Sequence, residues 1–145
     1  MRDLKEYTIR IINLQEKEYE YDFNLSNAYF EYFDYSDINS GACTCHLLLE
    51  KSSRLINCTI SIKGKVNLTC DRSLDLFDFS VDIDKKLIFK YGKEDVELDE
   101  DVYTIAEDTE EIKFGQLLFD LIGVYLGFPQ FAELLSQAVL ERAAY

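Results

Sequence analysis

Several kinds of functional site need residues that this sequence has in short supply. The 145-residue chain contains one proline and one histidine, and its 15 lysines and arginines are outnumbered by 28 aspartates and glutamates. One proline leaves little scope for a stiff linker, and a single histidine excludes sites built from several imidazoles. The formal charge of −13 repels a polyanion at long range, so a basic protein is electrostatically the easier partner.

The sequence also lacks a long hydrophobic run. The longest nearly apolar stretch, residues 117–128, is about a dozen residues long and contains Asp120, whereas a membrane helix needs roughly 20 apolar residues. The beginning, MRDLKEYTIRI, alternates charged and apolar residues and has neither the apolar region nor the cleavage site of a secretory signal. These features predict no membrane association and a cytoplasmic location.

Short catalytic and nucleotide-binding motifs are absent as well. No GxGxxG, GxxxxGK[ST] or GxSxG sequence occurs, so a phosphate-binding loop or a nucleophile elbow has no starting point. The acidic run at residues 94–101 lacks the central glycine and the last glutamate of a calcium loop. We therefore predict no cofactor and no enzymatic activity. A carboxylate pair assembled from distant strands would leave no motif, and an enzyme of that kind remains an alternative.

Alternation of apolar and polar residues is the strongest pattern in the chain. It runs unbroken over residues 57–70, which predicts a strand with one buried and one polar, cationic face. Gly64, in the middle, predicts a bend or a bulge. The same pattern occurs at residues 43–49 and 77–83, and at residues 7–11 and 19–23, whose short polar link favours a hairpin.

The last third of the chain reads differently. Residues 92–111 are strongly acidic and predict a solvated loop with a short strand, while residues 117–125 and, after Pro129, residues 131–139 have helical spacing. Consecutive alternating strands favour an antiparallel sheet over a βαβ fold. We therefore predict a single α+β domain over residues 1–145, a mainly antiparallel β barrel or sandwich with C-terminal helices.

Cysteine and histidine positions argue against a metal site. Cys43, Cys45, Cys58 and Cys70 form no paired zinc knuckle, and all four fall on predicted apolar faces, where a thiol behaves as a small hydrophobe. His46 lies on the strand face opposite Cys45, so these neighbours would diverge. We predict core cysteines, a surface histidine and no metal.

Cations are concentrated in one part of the chain. Residues 50–72 carry a net charge of +3, from Lys51, Arg54, Lys63, Lys65 and Arg72 against Glu50 and Asp71. Lys63 and Lys65 share a predicted strand face with asparagine, serine and threonine, which offer donors suited to phosphate. That face is a candidate RNA contact. The alternative is an ordinary solvated face whose lysines oppose edge pairing.

Two segments resemble the YceD family of bacterial proteins. They are GKVNLTCDRSLDLFDFSVDIDKKLIFKYGKED, residues 64–95, and EEIKFGQLLFDLIGVYLGFP, residues 110–129. In the first segment Cys70, Asp71, Arg72 and Leu74 match the family's Cys-Asp-Arg-Cys-Leu turn, and Ser73 stands at the second cysteine position. The resemblance implies a non-catalytic role in ribosome biogenesis, namely accumulation or processing of large-subunit ribosomal RNA.

The resemblance and the charge distribution together give the expected partners. We expect large-subunit ribosomal RNA or its precursor particles to bind, with Lys63, Lys65, Asp71 and Arg72 as candidate contacts, and the acidic surface to contact basic ribosomal proteins. The alternative is an acidic protein-binding module that shields a basic ribosomal protein without touching RNA.

Overall fold

The computed structural model describes residues 5–33, 38–70, 72–92 and 102–127. These residues form a short 3₁₀ turn, seven strands and two helices. In chain order the elements are the turn Lys5–Tyr7, β1 (Thr8–Arg10), β2 (Glu18–Leu25), α1 (Asn27–Phe33), β3 (Ile38–Lys51), β4 (Leu55–Thr69), β5 (Leu76–Tyr91), β6 (Val102–Ile105), β7 (Glu111–Lys113) and α2 (Phe114–Tyr125).

Most strands belong to one five-stranded sheet with the order β2-β3-β4-β5-β6. Its pairs are antiparallel except that of β5 with the short β6, which is parallel. A separate two-stranded antiparallel sheet joins β1 and β7. The α+β class and the mainly antiparallel pairing are thus confirmed. Neither sheet closes on itself within the described residues, so the barrel that we expected as one arrangement is wrong.

The two faces of the large sheet follow directly from the alternation in the sequence. Side chains at alternate positions of β3 and β4 are almost fully buried, namely Cys43, Cys45, Leu47, Leu49, Ile56, Cys58, Ile60 and Ile62. The positions between them are exposed or half-buried. The predicted apolar face is therefore the core face of the sheet, and the polar face is solvated, as period-two patterning requires.

Both helices contribute to the core, together with β1 and β7. An aromatic cluster joins the helices: the rings of Phe33 and Phe119 stack at 4.1 Å, and the Tyr29 hydroxyl donates to the carbonyl of Gly115 at 2.6 Å. The helix predicted over residues 117–125 is confirmed and begins earlier, at Phe114. Residues 131–139 lie outside the described residues. Neither described helix is long and apolar enough to cross a membrane.

The predicted hairpin at the N-terminus is wrong. β1 pairs with β7, placing Ile9 opposite Ile112, and β2 pairs with β3 instead. The link between β1 and β2 runs past the end of β3, where the Lys51 Nζ donates to the carbonyls of Ile11 and Leu14 at 2.7 and 2.9 Å. These bonds satisfy two backbone carbonyls of the link. β7 was not predicted, and it begins at Glu111, the last residue of the acidic segment; β6 lies within that segment, where a short strand was predicted.

Gly64 marks a close approach of two strands and not a bulge. The pairing of β4 with both neighbours continues through Gly64 without a change of register. A Cβ there would lie 2.2 Å from the carbonyl oxygen of Ala42 and 2.6 Å from the Cα of Cys43, and the residue has φ +155°. Only glycine has the space and the conformational freedom for this contact.

We expect Gly64→Ala to lower the free energy of unfolding by at least about 2 kcal/mol, because it combines a backbone clash with a strained φ. Urea denaturation followed by circular dichroism measures this change. Gly92→Ala is the matched control, since its Cβ would meet only the Thr104 Cγ2, at 3.8 Å, and should change stability by less than about 0.5 kcal/mol. Equal effects of the two substitutions would contradict the close approach.

Candidate functional site

The solvated face of the five-stranded sheet, hereafter the outer face, carries most of the charged side chains of the described strands. Its strand positions in β2 to β5 hold seven carboxylates against four lysines. The carboxylates are those of Glu18, Glu20, Asp22, Glu50, Asp78, Asp82 and Asp84, and the lysines are Lys63, Lys65, Lys86 and Lys90. The lysines of β4 lie beside the aspartates of β5, whereas β3 separates them from the carboxylates of β2, and the face as a whole is acidic.

The predicted contact residues are only partly brought together. Lys63 and Lys65 share the outer face, as predicted, but the Lys63 Nζ lies 3.9 Å from the Asp82 carboxylate, which offsets its charge. Lys65 is exposed opposite Ser80. Arg72 is exposed in the turn after β4, and the strand from Lys65 to its end at Thr69 alone spans about 13 Å. Asp71 lies outside the described residues.

The other two cations of residues 50–72 are not part of an RNA surface on the outer face. Lys51 is a structural residue, because its ammonium group is bonded to two backbone carbonyls at the end of the sheet. Arg54 is exposed in the turn between β3 and β4, where its carbonyl accepts a hydrogen bond from the amide of Tyr91. The five cations are therefore spread along the β3–β4–β5 region and form no continuous basic patch.

His46 forms the most defined side-chain cluster on the outer face. Its Nδ1 lies 2.8 Å from an Asp22 carboxylate oxygen and its Nε2 lies 3.6 Å from Glu20. The hydrogen bond to Asp22, followed by the charges of Asp22 and Glu20, raises the pKa of His46 and outweighs a smaller lowering by desolvation. The predicted surface position, opposite buried Cys45, is confirmed.

A shallow depression of about 400 Å³ adjoins this histidine, and its lining includes Ser61 and Lys63. The sequence did not predict this cluster, because Asp22 and His46 are brought together only by the register of β2 on β3. A cross-strand pair of this kind has no signature in local spacing.

Three of the four cysteines have a core role. Cys43, Cys45 and Cys58 are buried, as predicted, whereas Cys70 is only half-buried. Burial raises the pKa of Cys43 to about 11 and of Cys45 to about 12, and raises the pKa of Cys58 as well. These thiols are protonated at neutral pH and are poor nucleophiles. Within the described residues no group of three or more histidine, cysteine, aspartate or glutamate side chains could hold a metal ion.

β2 is an edge strand of the sheet within the described residues, and half of its backbone groups point away from β3. The amide of Lys51 in β3 donates to the carbonyl of Lys17, which directly precedes β2. With this register, the backbone groups of the odd-numbered residues of β2 form the hydrogen bonds to β3. Because strand residues alternate in direction, Glu18, Glu20 and Asp22 point their N–H and C=O groups away from β3. Asn24 is the next even-numbered residue of β2, and its carbonyl accepts a hydrogen bond from the Tyr7 hydroxyl. This bond shows that the backbone groups of the even-numbered residues face outward.

A second exposed surface lies at the turn between β4 and β5. Leu74 has φ +62° and is 73% exposed, and Phe77 and Phe79 are 43% and 40% exposed. Both phenylalanines lie on the core side of the sheet, opposite Leu68 and Val66, as the alternation predicts, but the start of β5 is exposed. The Phe79 ring lies 6.4 Å from that of Tyr125, so the end of α2 adjoins this surface.

A depression of about 670 Å³ lies at the other end of the sheet. Two exposed carboxylates, Glu16 and Glu107, line it together with Lys51. The ammonium of Lys51 is already held by the carbonyls of Ile11 and Leu14.

No family model matches the chain, and no curated protein and no solved structure is significantly similar to it. The outer face and the open edge of β2 are therefore the features from which a function can be inferred.

We expect NMR titration of His46, the only histidine of the chain, to give a pKa above about 6.5. Asp22→Asn should lower that pKa more than Glu20→Gln, since the hydrogen bond to Asp22 is its largest cause. Because the pKa of His46 is higher in the folded than in the unfolded state, its contribution to stability is fully present below the unfolded-state pKa. That contribution is lost as the pH rises through the folded-state pKa. An unchanged titration in Asp22→Asn would contradict the described contact.

Proposed function

We propose that this sandwich-like α+β domain is a non-catalytic binding protein that supports assembly of the large ribosomal subunit by holding a basic ribosomal protein. The observation that carries the proposal is the acidic outer face, which holds seven carboxylates and four lysines. A face of this sign attracts a basic partner and repels a nucleic-acid backbone.

The ribosomal assignment is supported by the YceD-like segments, residues 64–95 and 110–129. It fits the charge of the outer face, because ribosomal proteins that await assembly carry cationic segments that need an acidic partner when RNA is absent. The buried, protonated thiols favour a binding role over nucleophilic catalysis at these cysteines.

Direct contact with RNA is less favoured than contact with protein. Lys63 is paired with Asp82, and Lys65 and Arg72 lie far apart along β4 and the turn after it. A nucleic-acid surface needs several cations that neutralise neighbouring phosphates. Lys86 and Lys90, the other lysines of the outer face, lie toward the opposite end of β5, so these cations form no continuous surface.

The proposal is tested by sedimentation of the tagged protein with ribosomal particles at low and moderate salt, with and without nuclease. We expect it to migrate with large-subunit precursors and to retain a ribosomal protein after nuclease treatment. A triple variant, Glu18→Gln, Glu20→Gln and Asp22→Asn, should weaken this association about tenfold or more at low salt, because it removes the steering charge.

Lys63→Gln with Lys65→Gln is the matched control on the same face, and it should leave the association unchanged or strengthen it. A loss of association in this control, together with complete release by nuclease, would replace the proposed protein contact with an RNA contact. Migration as free protein under all conditions would overturn the ribosomal assignment.

A further inference from the structure

The free edge of β2 suggests how a basic partner is held, an inference that rests on the proposed function. We propose that an extended basic segment of the partner adds to the large sheet as a further strand, antiparallel to β2, with lysine or arginine at every second position. The docking site is the row of backbone N–H and C=O groups of Glu18, Glu20 and Asp22. Their side chains select the charge of the segment.

The edge is long and regular enough to pair. β2 has eight residues, and its register on β3 runs from Glu18 to Leu25 without a shift. Proteins usually protect such edges with a bulge, a proline, charged side chains or a very short strand. β2 has no bulge and no proline, and its charged side chains are three carboxylates, which oppose pairing with an acidic strand but attract a basic one. The opposite edge, β6, has only four residues.

Only one end of the edge is covered in the described structure. The Tyr7 hydroxyl bonds the carbonyl of Asn24, and the Tyr7 ring lies 5.6 Å from that of Phe23. No described hydrogen bond uses the outward backbone groups of Glu18, Glu20 or Asp22. The open part therefore has room for a segment of about five to seven residues, which is the length of an ordinary strand.

The two faces of β2 define the side chains of the segment. On the outer face, Glu18, Glu20 and Asp22 are exposed, and a residue directly opposite each would lie about 5 Å away. Cationic side chains fit these positions. On the other face Tyr19, Tyr21 and Phe23 are half-buried, and the rings of Tyr21 and Phe23 are nearly parallel, with centroids 6.5 Å apart. Apolar side chains at alternate positions extend this aromatic surface.

A strand that alternates lysine or arginine with apolar residues satisfies both faces at once. Its backbone bonds supply affinity, and the alternate side chains supply specificity, as in other strand-addition complexes. A nucleic-acid strand cannot use this edge, because it has no peptide groups to pair with those of β2.

Synthetic peptides test the pairing on the unaltered protein. The probe is an eight-residue peptide, Lys-Val-Lys-Thr-Lys-Val-Lys-Thr, with blocked ends, measured by fluorescence anisotropy at low salt. One derivative carries N-methyl groups on its lysine amides, which face β2, and the matched control carries them on the valine and threonine amides, which face away. All three peptides have the same charge.

We expect methylation of the lysine amides to weaken binding about tenfold or more, because it removes the donors to the β2 carbonyls, while the control peptide keeps most of its affinity. NMR should then show the largest amide shifts at Glu18, Glu20 and Asp22. Equal binding of all three peptides, still dependent on these carboxylates, would overturn strand addition and leave the acidic binding function intact. If none of the peptides binds and the protein does not sediment with ribosomal particles, both proposals fail.

Discussion

The period of two along β3, β4 and β5 is the constraint on which the rest of this structure depends. β4 pairs along nearly its whole length with both neighbours, and no register shift occurs from Ser40 onward. Side chains therefore alternate between the core and solvent, except at the start of β5, where Phe77 and Phe79 are exposed. The buried thiols, the acidic outer face and the position of His46 beside Asp22 all follow from this single division. Gly64 keeps it intact by allowing two backbones to approach closely.

Local pattern predicted much of the fold but few of its pairings. The alternation of residues 43–49 and 57–70 and the helix at residues 117–125 were predicted because each signal lies within one segment. The pairing of β1 with β7 was not predicted, because the paired residues Ile9 and Ile112 are separated by most of the chain. β7 is also short, so its three residues carry little pattern of their own.

The same distinction explains the candidate site. The side of the strand on which Lys63 and Lys65 lie was predicted, since it needs only the period of β4. Their acidic surroundings were not, because Asp82 comes from β5, and Asp22 comes to the same face through β2 and β3. Sequence counting made residues 50–72 a basic region, whereas the sheet sets its central lysines beside the aspartates of β5 and two strands away from the carboxylates of β2. These acidic surroundings are the reason why we propose a basic protein and not RNA as the partner.

The open edge of β2 is the central structural claim behind the proposed binding, and amide hydrogen exchange measures it directly. The amides of Tyr19, Tyr21 and Phe23, which face β3, should exchange slowly, and those of Glu18, Glu20 and Asp22, which face outward, should exchange quickly. Slow exchange of all six amides in the isolated protein would contradict the account, because it would mean that this edge is already paired.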